Sequence, residues 1–209
     1  AAVLGAVELA ARLQLNIHVV AVIGSAENAV DAERYRPGDV IDSYSGKSIE
    51  IIDTDAEGRV ILADALAYIN KNYKPHWIID LATLTGSAVM ALGYAAGALF
   101  TSNDEMSAAL QSAGDKVFER LWRMPLYSDF DQDIQSDIAD VRNLSGKPVA
   151  GAITAAKFLE FFTDDHPRWA HLDIAGVAFG DSDFSKMKSA SGYGPRLLVE
   201  VMKQLAENS

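Results

Sequence analysis

Three carboxylates stand at alternate positions in the stretch SIEIIDTDAEGRVILADAL (residues 48–66): Asp53, Asp55 and Glu57, with Arg59 one glycine later. In an extended chain such side chains share one side, about 7 Å apart. At an effective dielectric of about 20, each neighbouring pair then repels by roughly 2 kcal/mol. Three arrangements would make this tolerable. Thr54 and Glu57 have the spacing of a capping box, and acidic residues are favourable at a helix start, although this leaves Asp53 and Asp55 unexplained. Asp53, Asp55, Glu57 and Gly58 also fall at positions 1, 3, 5 and 6 of a calcium loop, with Asp64 at position 12. The strand-like KSIEII before them stands where that motif needs a helix. The third arrangement is a divalent-metal site at the carboxyl end of a strand, where open α/β sheets place ligands. Carboxylate oxygens suit hard or borderline cations, and a dication turns the repulsion into attraction. Arg59 would then clamp an anion beside it.

The elements that must position these residues are legible from periodicity. AAVLGAVELAARLQLN reads as a helix, and NIHVVAVIG (16–24) as a short buried strand. DVIDSY and KSIEIID flank Ser45-Gly46 as a hairpin, and GRVILADALAYINKNY has helical spacing. There follow a strand in HWIIDLATL, a short helix in TGSAVMAL, a strand in AAGALFTS and a helix over DEMSAALQSAGDKVFERLW. GAITAAKFLEFFTDD is a helix, RWAHLDIAG a strand and YGPRLLVEVMKQLAEN a closing helix. Alternating strands and helices predict an α/β layer architecture with a largely parallel sheet and an antiparallel hairpin. With no repeat or linker in view, residues 1–209 read as a single domain.

Composition narrows the partners. The net charge of −11, with acids spread along the chain, argues against nucleic acid or an anionic membrane as the main partner. There is no cysteine, so disulfides and thiolate metal sites are excluded. No apolar run reaches the roughly 18 residues of a membrane span. Other motifs carry little. SGKS (45–48) lacks the glycine that a phosphate loop needs at residue 41, and GYGPR (192–196) lacks the third glycine of a dinucleotide loop. His171, on an apolar strand, reads as a satisfied core residue. SDFDQDIQSD (128–137) reads as a solvated acidic face, and Trp77, Trp122 and Trp169 read as core.

DTDAEGRVILADAL closely resembles the N-T-D-A-E-G-R-L signature of the leucyl (cytosol) aminopeptidases. YRPGDVI, DLATLTGSAVMALG, RLWRMPL, AGAITAAKFLEFF and WAHLDIAG continue the resemblance in order over nearly the whole chain. It implies a three-layer α/β/α sandwich with a central mixed, largely parallel sheet. It also implies a cytoplasmic homo-hexamer that removes N-terminal residues, often leucine, from peptides. The cofactors implied are two divalent cations, zinc or manganese with magnesium as the alternative, and a bicarbonate. By the same resemblance Asp55 is a metal ligand, Glu57 bridges both metals, and Arg59 is the catalytic arginine that holds the bicarbonate. Thr83, Leu84, Thr85 and Gly86 contact the substrate, and Ala175 walls the pocket for its first side chain.

Asp53 departs from the family's usual asparagine and has no assigned role. The family's other ligands, a lysine and two aspartates, and its catalytic lysine lie upstream of the residue that matches Ala1. The expectation is therefore a chain cut from something longer, without the N-terminal domain and the first part of the catalytic domain, and inactive on its own. The reading from a different class is a non-catalytic binding or oligomerisation module, in which the carboxylates serve only as a helix cap.

Overall fold

The computed structural model describes residues 1–28, 32, 34–182 and 185–207. In chain order the elements are α1 (Ala2–Arg12), β1 (Val40–Asp42), β2 (Ser48–Glu50), α2 (Glu57–Tyr73), β3 (Ile78–Ala82), α3 (Gly86–Leu92), β4 (Gly97–Phe100) and α4 (Asp104–Lys116). There follow β5 (Leu121–Arg123), β6 (Val141–Arg142), α5 (Gly151–Glu160), β7 (Trp169–Asp173), β8 (Phe179–Ser182), β9 (Ser185–Ala190) and α6 (Pro195–Glu207). The fold is mixed α/β, as expected, with parallel and antiparallel pairings both present. The chain forms two compact units, residues 1–21, 79–124 and 170–209 in one, residues 22–78 and 125–169 in the other.

The first unit is built on a four-stranded sheet in the order β3-β7-β4-β5. β4 (GALF) and β7 (WAHLD) are buried at every position, which suits central strands whose both faces are covered. α1 and α6 pack together through Ala6, Ala10, Leu198, Val199 and Met202, where the alanines allow close approach. The start of α6 is held by one buried acid. Glu119 Oε2 accepts from the backbone N–H groups of Gly194 (3.1 Å) and Leu197 (2.9 Å), and Oε1 accepts from Arg196 Nε (2.9 Å).

In the second unit β2 lies between β1, antiparallel, and β6, parallel, with Ile49 opposite both Ile41 and Val141. Ser48 and Asp140 clamp the edge of that ladder. The Ser48 N–H and hydroxyl both donate to Asp140 Oδ2 (2.7 and 2.8 Å), and the Asp140 N–H returns to Ser48 Oγ (3.0 Å). These bonds, the backbone one first, hold the Asp140 carboxyl below the usual carboxylate range. α2 buries Arg59, Ala63, Leu66 and Ala67, one helical face at i, i+4, i+7 and i+8, and packs on α5.

Several expectations are corrected. Residues 16–24 form no strand: they join no sheet, Ile17 N–H turns back to Leu15 O (2.9 Å), and Leu15, Ile17 and Val19 pack against the α1–α6 cluster. The helix read over residues 104–122 ends at Lys116. Phe118 turns to φ 59° there, Glu119 N–H bonds back to Gly114 O (2.8 Å), and β5 begins. A Cβ at Gly114 would lie 2.5 Å from the Glu119 carbonyl oxygen, so only glycine fits this reversal. Trp169 is buried and Trp77 half-buried, but Trp122 is 64% exposed, because β5 is an outer strand and Leu121 takes the inward position. The acidic stretch is not simply solvated. It forms a 3₁₀ turn over Ser128–Ile134, with Asp133 buried against Lys147 and Asp131 paired with Lys157 at 2.6 Å.

Glu119→Ala should cost about 3 kcal/mol in urea unfolding, since two backbone donors at the head of α6 lose their acceptor. Glu119→Gln, which keeps an acceptor oxygen, should cost clearly less. Equal costs for the two variants would mean that the capping bonds do not hold α6.

Candidate functional site

In the second unit the carboxylate segment is the crossing from β2 to α2, and one side chain shapes it. Asn143, the residue after β6, is fully buried. Its N–H extends the ladder to Glu50 O (2.9 Å). Its Oδ1 accepts from the backbone N–H of Ile52 (2.8 Å) and of Asp53 (3.3 Å), while Nδ2 donates to Asp53 O (2.7 Å). Its own carbonyl accepts from Arg59 Nη1 at 2.9 Å. An amide offers donors and an acceptor on one rigid plane, which neither a carboxylate nor a hydroxyl can do. The crossing is thus held at its backbone, leaving Asp55 and Glu57 unspent.

The carboxylates do not form the extended row that their spacing suggests. Asp53 is extended (φ −138°, ψ 129°), and its side chain accepts from Asp55 N–H at 3.0 Å, capping a 3₁₀ turn over Thr54–Ala56. That gives Asp53 the role the sequence left open. The Thr54–Glu57 capping box does not form, for the residue capping α2 is Ala56 and makes no side-chain cap bond. Asp55 is exposed on the turn, and Glu57 is half-buried as the first residue of α2, where the helix dipole favours a negative charge. Nearby, burial and then the Glu57 charge push the Tyr35 phenol above its ordinary range. Arg59 sits two residues on. Its position on the buried face of α2 carries the guanidinium inward, 5% exposed, against the dipole, and the Asn143 carbonyl compensates.

Among the described residues no three His, Cys, Asp or Glu side chains converge to hold a metal ion. Asp55 and Glu57, two oxygen donors joined in no ion pair among the described residues, fit part of a dication site and not the whole of one.

The substrate-contact residues of the resemblance lie in the first unit. Thr83 is exposed at the end of β3, and Leu84 N–H donates to Asp173 Oδ1 (3.0 Å). Thr85 is buried and caps α3, its Oγ1 accepting from Ala88 N–H (3.0 Å) and donating to Asp173 Oδ2 (2.7 Å). Gly86, the first residue of α3, faces open space. Ala175 is half-buried, and its N–H also bonds to Asp173 Oδ1 (3.2 Å). His171 belongs to the core as read but is satisfied at one nitrogen only: it is fully buried, its Nδ1 lies 2.5 Å from Asp80 Oδ1 and its ring stacks on Phe100, while Nε2 has no hydrogen-bond partner among the described residues.

Sequence reasoning missed Asn143 and Asp173. Asn143 carries no signal, being one amide after a two-residue strand. Asp173 did offer one, an acid closing a buried strand that is apolar but for His171.

The model of the cytosol aminopeptidase family, catalytic domain, matches residues 1–199. A probable cytosol aminopeptidase of Chlorobium phaeobacteroides is 50% identical over 206 residues, 99% of this chain and 41% of that protein. One from Chloroherpeton thalassium is 50% identical over 201 residues, 96% of this chain and 39% of that protein. Among solved structures, a lysine-to-glutamate mutant of tomato leucine aminopeptidase is similar with a TM-score of 0.79 at 43% identity, over 86% of this chain and 34% of its own. The chain thus spans about two fifths of the length of the curated relatives it matches. Signature, fold and matched length agree: this chain belongs to the cytosol aminopeptidase family.

Proposed function

We propose that this chain carries the carboxylate loop and the substrate loop of a metal-dependent aminopeptidase that releases N-terminal residues, leucine-like ones preferred, from peptides. The observation that carries the reading is the Asn143-held crossing, which sets two uncommitted carboxylates and a buried guanidinium within five residues on a rigid backbone. Family membership supports it.

In this reading Asp55 and Glu57 are ligands of two divalent cations, zinc or manganese with magnesium as the alternative, and Glu57 serves both. Such cations supply Lewis acidity for the scissile carbonyl, acidify a water and hold a free amine. Arg59 lowers the cost of negative charge developing on the carbonyl oxygen and holds a bicarbonate as its anion. Buried in place, its guanidinium needs no reorganisation during reaction. Thr83, Leu84, Thr85 and Gly86 orient the peptide, and the small Ala175 leaves volume for a branched side chain. The two carboxylates are fewer than the five ligands the resemblance implies, so the 209-residue chain alone is proposed to be inactive. Peptides are the proposed partners, with assembly as a homo-hexamer in the cytoplasm. No described helix is long and apolar enough to cross a membrane.

The test is hydrolysis of leucine anilide by the full-length protein. Chelation should abolish turnover and zinc or manganese restore it, and Glu57→Ala should lower kcat by about a thousandfold, the several kcal/mol such a ligand supplies. Full turnover in Glu57→Ala at normal metal content would overturn the assignment. Asn143→Ala should weaken metal retention by about 10- to 100-fold, the usual cost of losing a group that orients ligands. Equilibrium dialysis checks it, and unchanged retention would remove Asn143 from the account.

A further inference from the structure

We propose that Asp173 is the positioning residue that joins the Thr83–Gly86 loop to Ala175 and so sets the preference among N-terminal side chains, an inference that rests on the peptidase reading. Asp173 ends β7, and its side chain is 1% exposed. The carboxyl ends of β3 and β7 meet there, with Ile174 N–H donating to Ala82 O at 2.8 Å. Open α/β sheets bind ligands outside such strand ends.

A carboxylate buried in a strand is costly unless its oxygens are used. Here each is used on the loops and none on the sheet. Oδ1 is shared by Leu84 N–H (3.0 Å) and Ala175 N–H (3.2 Å), so one atom fixes the separation of the two segments. Oδ2 takes the Thr85 hydroxyl (2.7 Å), whose oxygen in turn accepts the first-turn N–H of Ala88. Moving Asp173 therefore moves Leu84, Ala175 and the head of α3 together. The far side of Ala175 has no slack. A Cβ on Gly176 would lie 2.2 Å from Gly93 O, so the two backbones approach closely there and only glycine fits. The Asp173 bonds thus fix the placing of Ala175 against the Thr83–Gly86 loop on one side, and the Gly176–Gly93 approach bounds it on the other.

The experiment compares leucine and alanine anilides on the full-length enzyme. Asp173→Ala should reduce the leucine-over-alanine ratio of kcat/KM by about tenfold, the scale on which an apolar pocket separates side chains. Asp173→Asn should largely recover it, because the amide oxygen still accepts from Leu84 and Ala175 and the amide N–H can donate to Thr85 Oγ1. If Asp173→Ala does not fold, Asp173→Glu carries the test. It keeps the acceptors but displaces them by about 1.5 Å, one C–C bond, and should give the same loss of selectivity. A parent enzyme that prefers leucine, with folded Asp173 variants whose ratio is unchanged, overturns this role alone. A parent that releases no N-terminal residue overturns the peptidase reading, and the role falls with it.

Discussion

The second unit depends on a single buried amide. Ile51 still bonds to Gly38 and Asp39, but beyond it the backbone leaves the sheet before the helix begins, so the groups of Ile52 and Asp53 belong to neither ladder. Buried backbone groups need partners, and Asn143 supplies them from both ends of one side chain. Its main chain meanwhile stays in register with β2 and receives Arg59. Had Asp53, Asp55 and Glu57 been used to satisfy that backbone, fewer donors would remain for a cation. Only Asp53 is spent in this way, on the Asp55 N–H.

The same device appears independently in the first unit. Asp173 ends a strand, is buried, and gives its oxygens to the backbone and hydroxyl of a neighbouring loop. In both units the segments proposed to carry the site are held by one polar side chain from an adjacent strand end. Loops positioned by a rigid scaffold are where function concentrates. The energetic consequence is asymmetric, for removing either side chain strands several donors at once, whereas removing an exposed carboxylate such as Asp55 strands none.

Much of the fold was readable because its elements have clean periods. The helices at Glu57–Tyr73 and Pro195–Glu207 and the hairpin around Ser45-Gly46 appear where the pattern predicts. Failures occurred where pairing or a turn decides. Residues 16–24 have strand composition but no ladder partner, and the helix at Asp104 stops because the backbone reverses at Phe118, which no apolar period reveals. β6, two residues long, and the β8–β9 hairpin are too short or too polar to announce themselves. Of the site, the signature residues were visible as chemistry, but their conformation was not. Alternation suggested an extended row, and the structure makes a capped 3₁₀ turn leading into a helix. Asp53 acquires a meaning only in that geometry.

The central claim is that the crossing held by Asn143 presents Asp55 and Glu57 to divalent cations. Anomalous diffraction at the zinc edge, from crystals of the full-length protein grown with zinc, tests it most directly. The account predicts two peaks at carboxylate–zinc distances of about 2.0–2.2 Å from Glu57, one of them also ligated by Asp55. Zinc peaks elsewhere in an active enzyme, with none at Glu57, would contradict it.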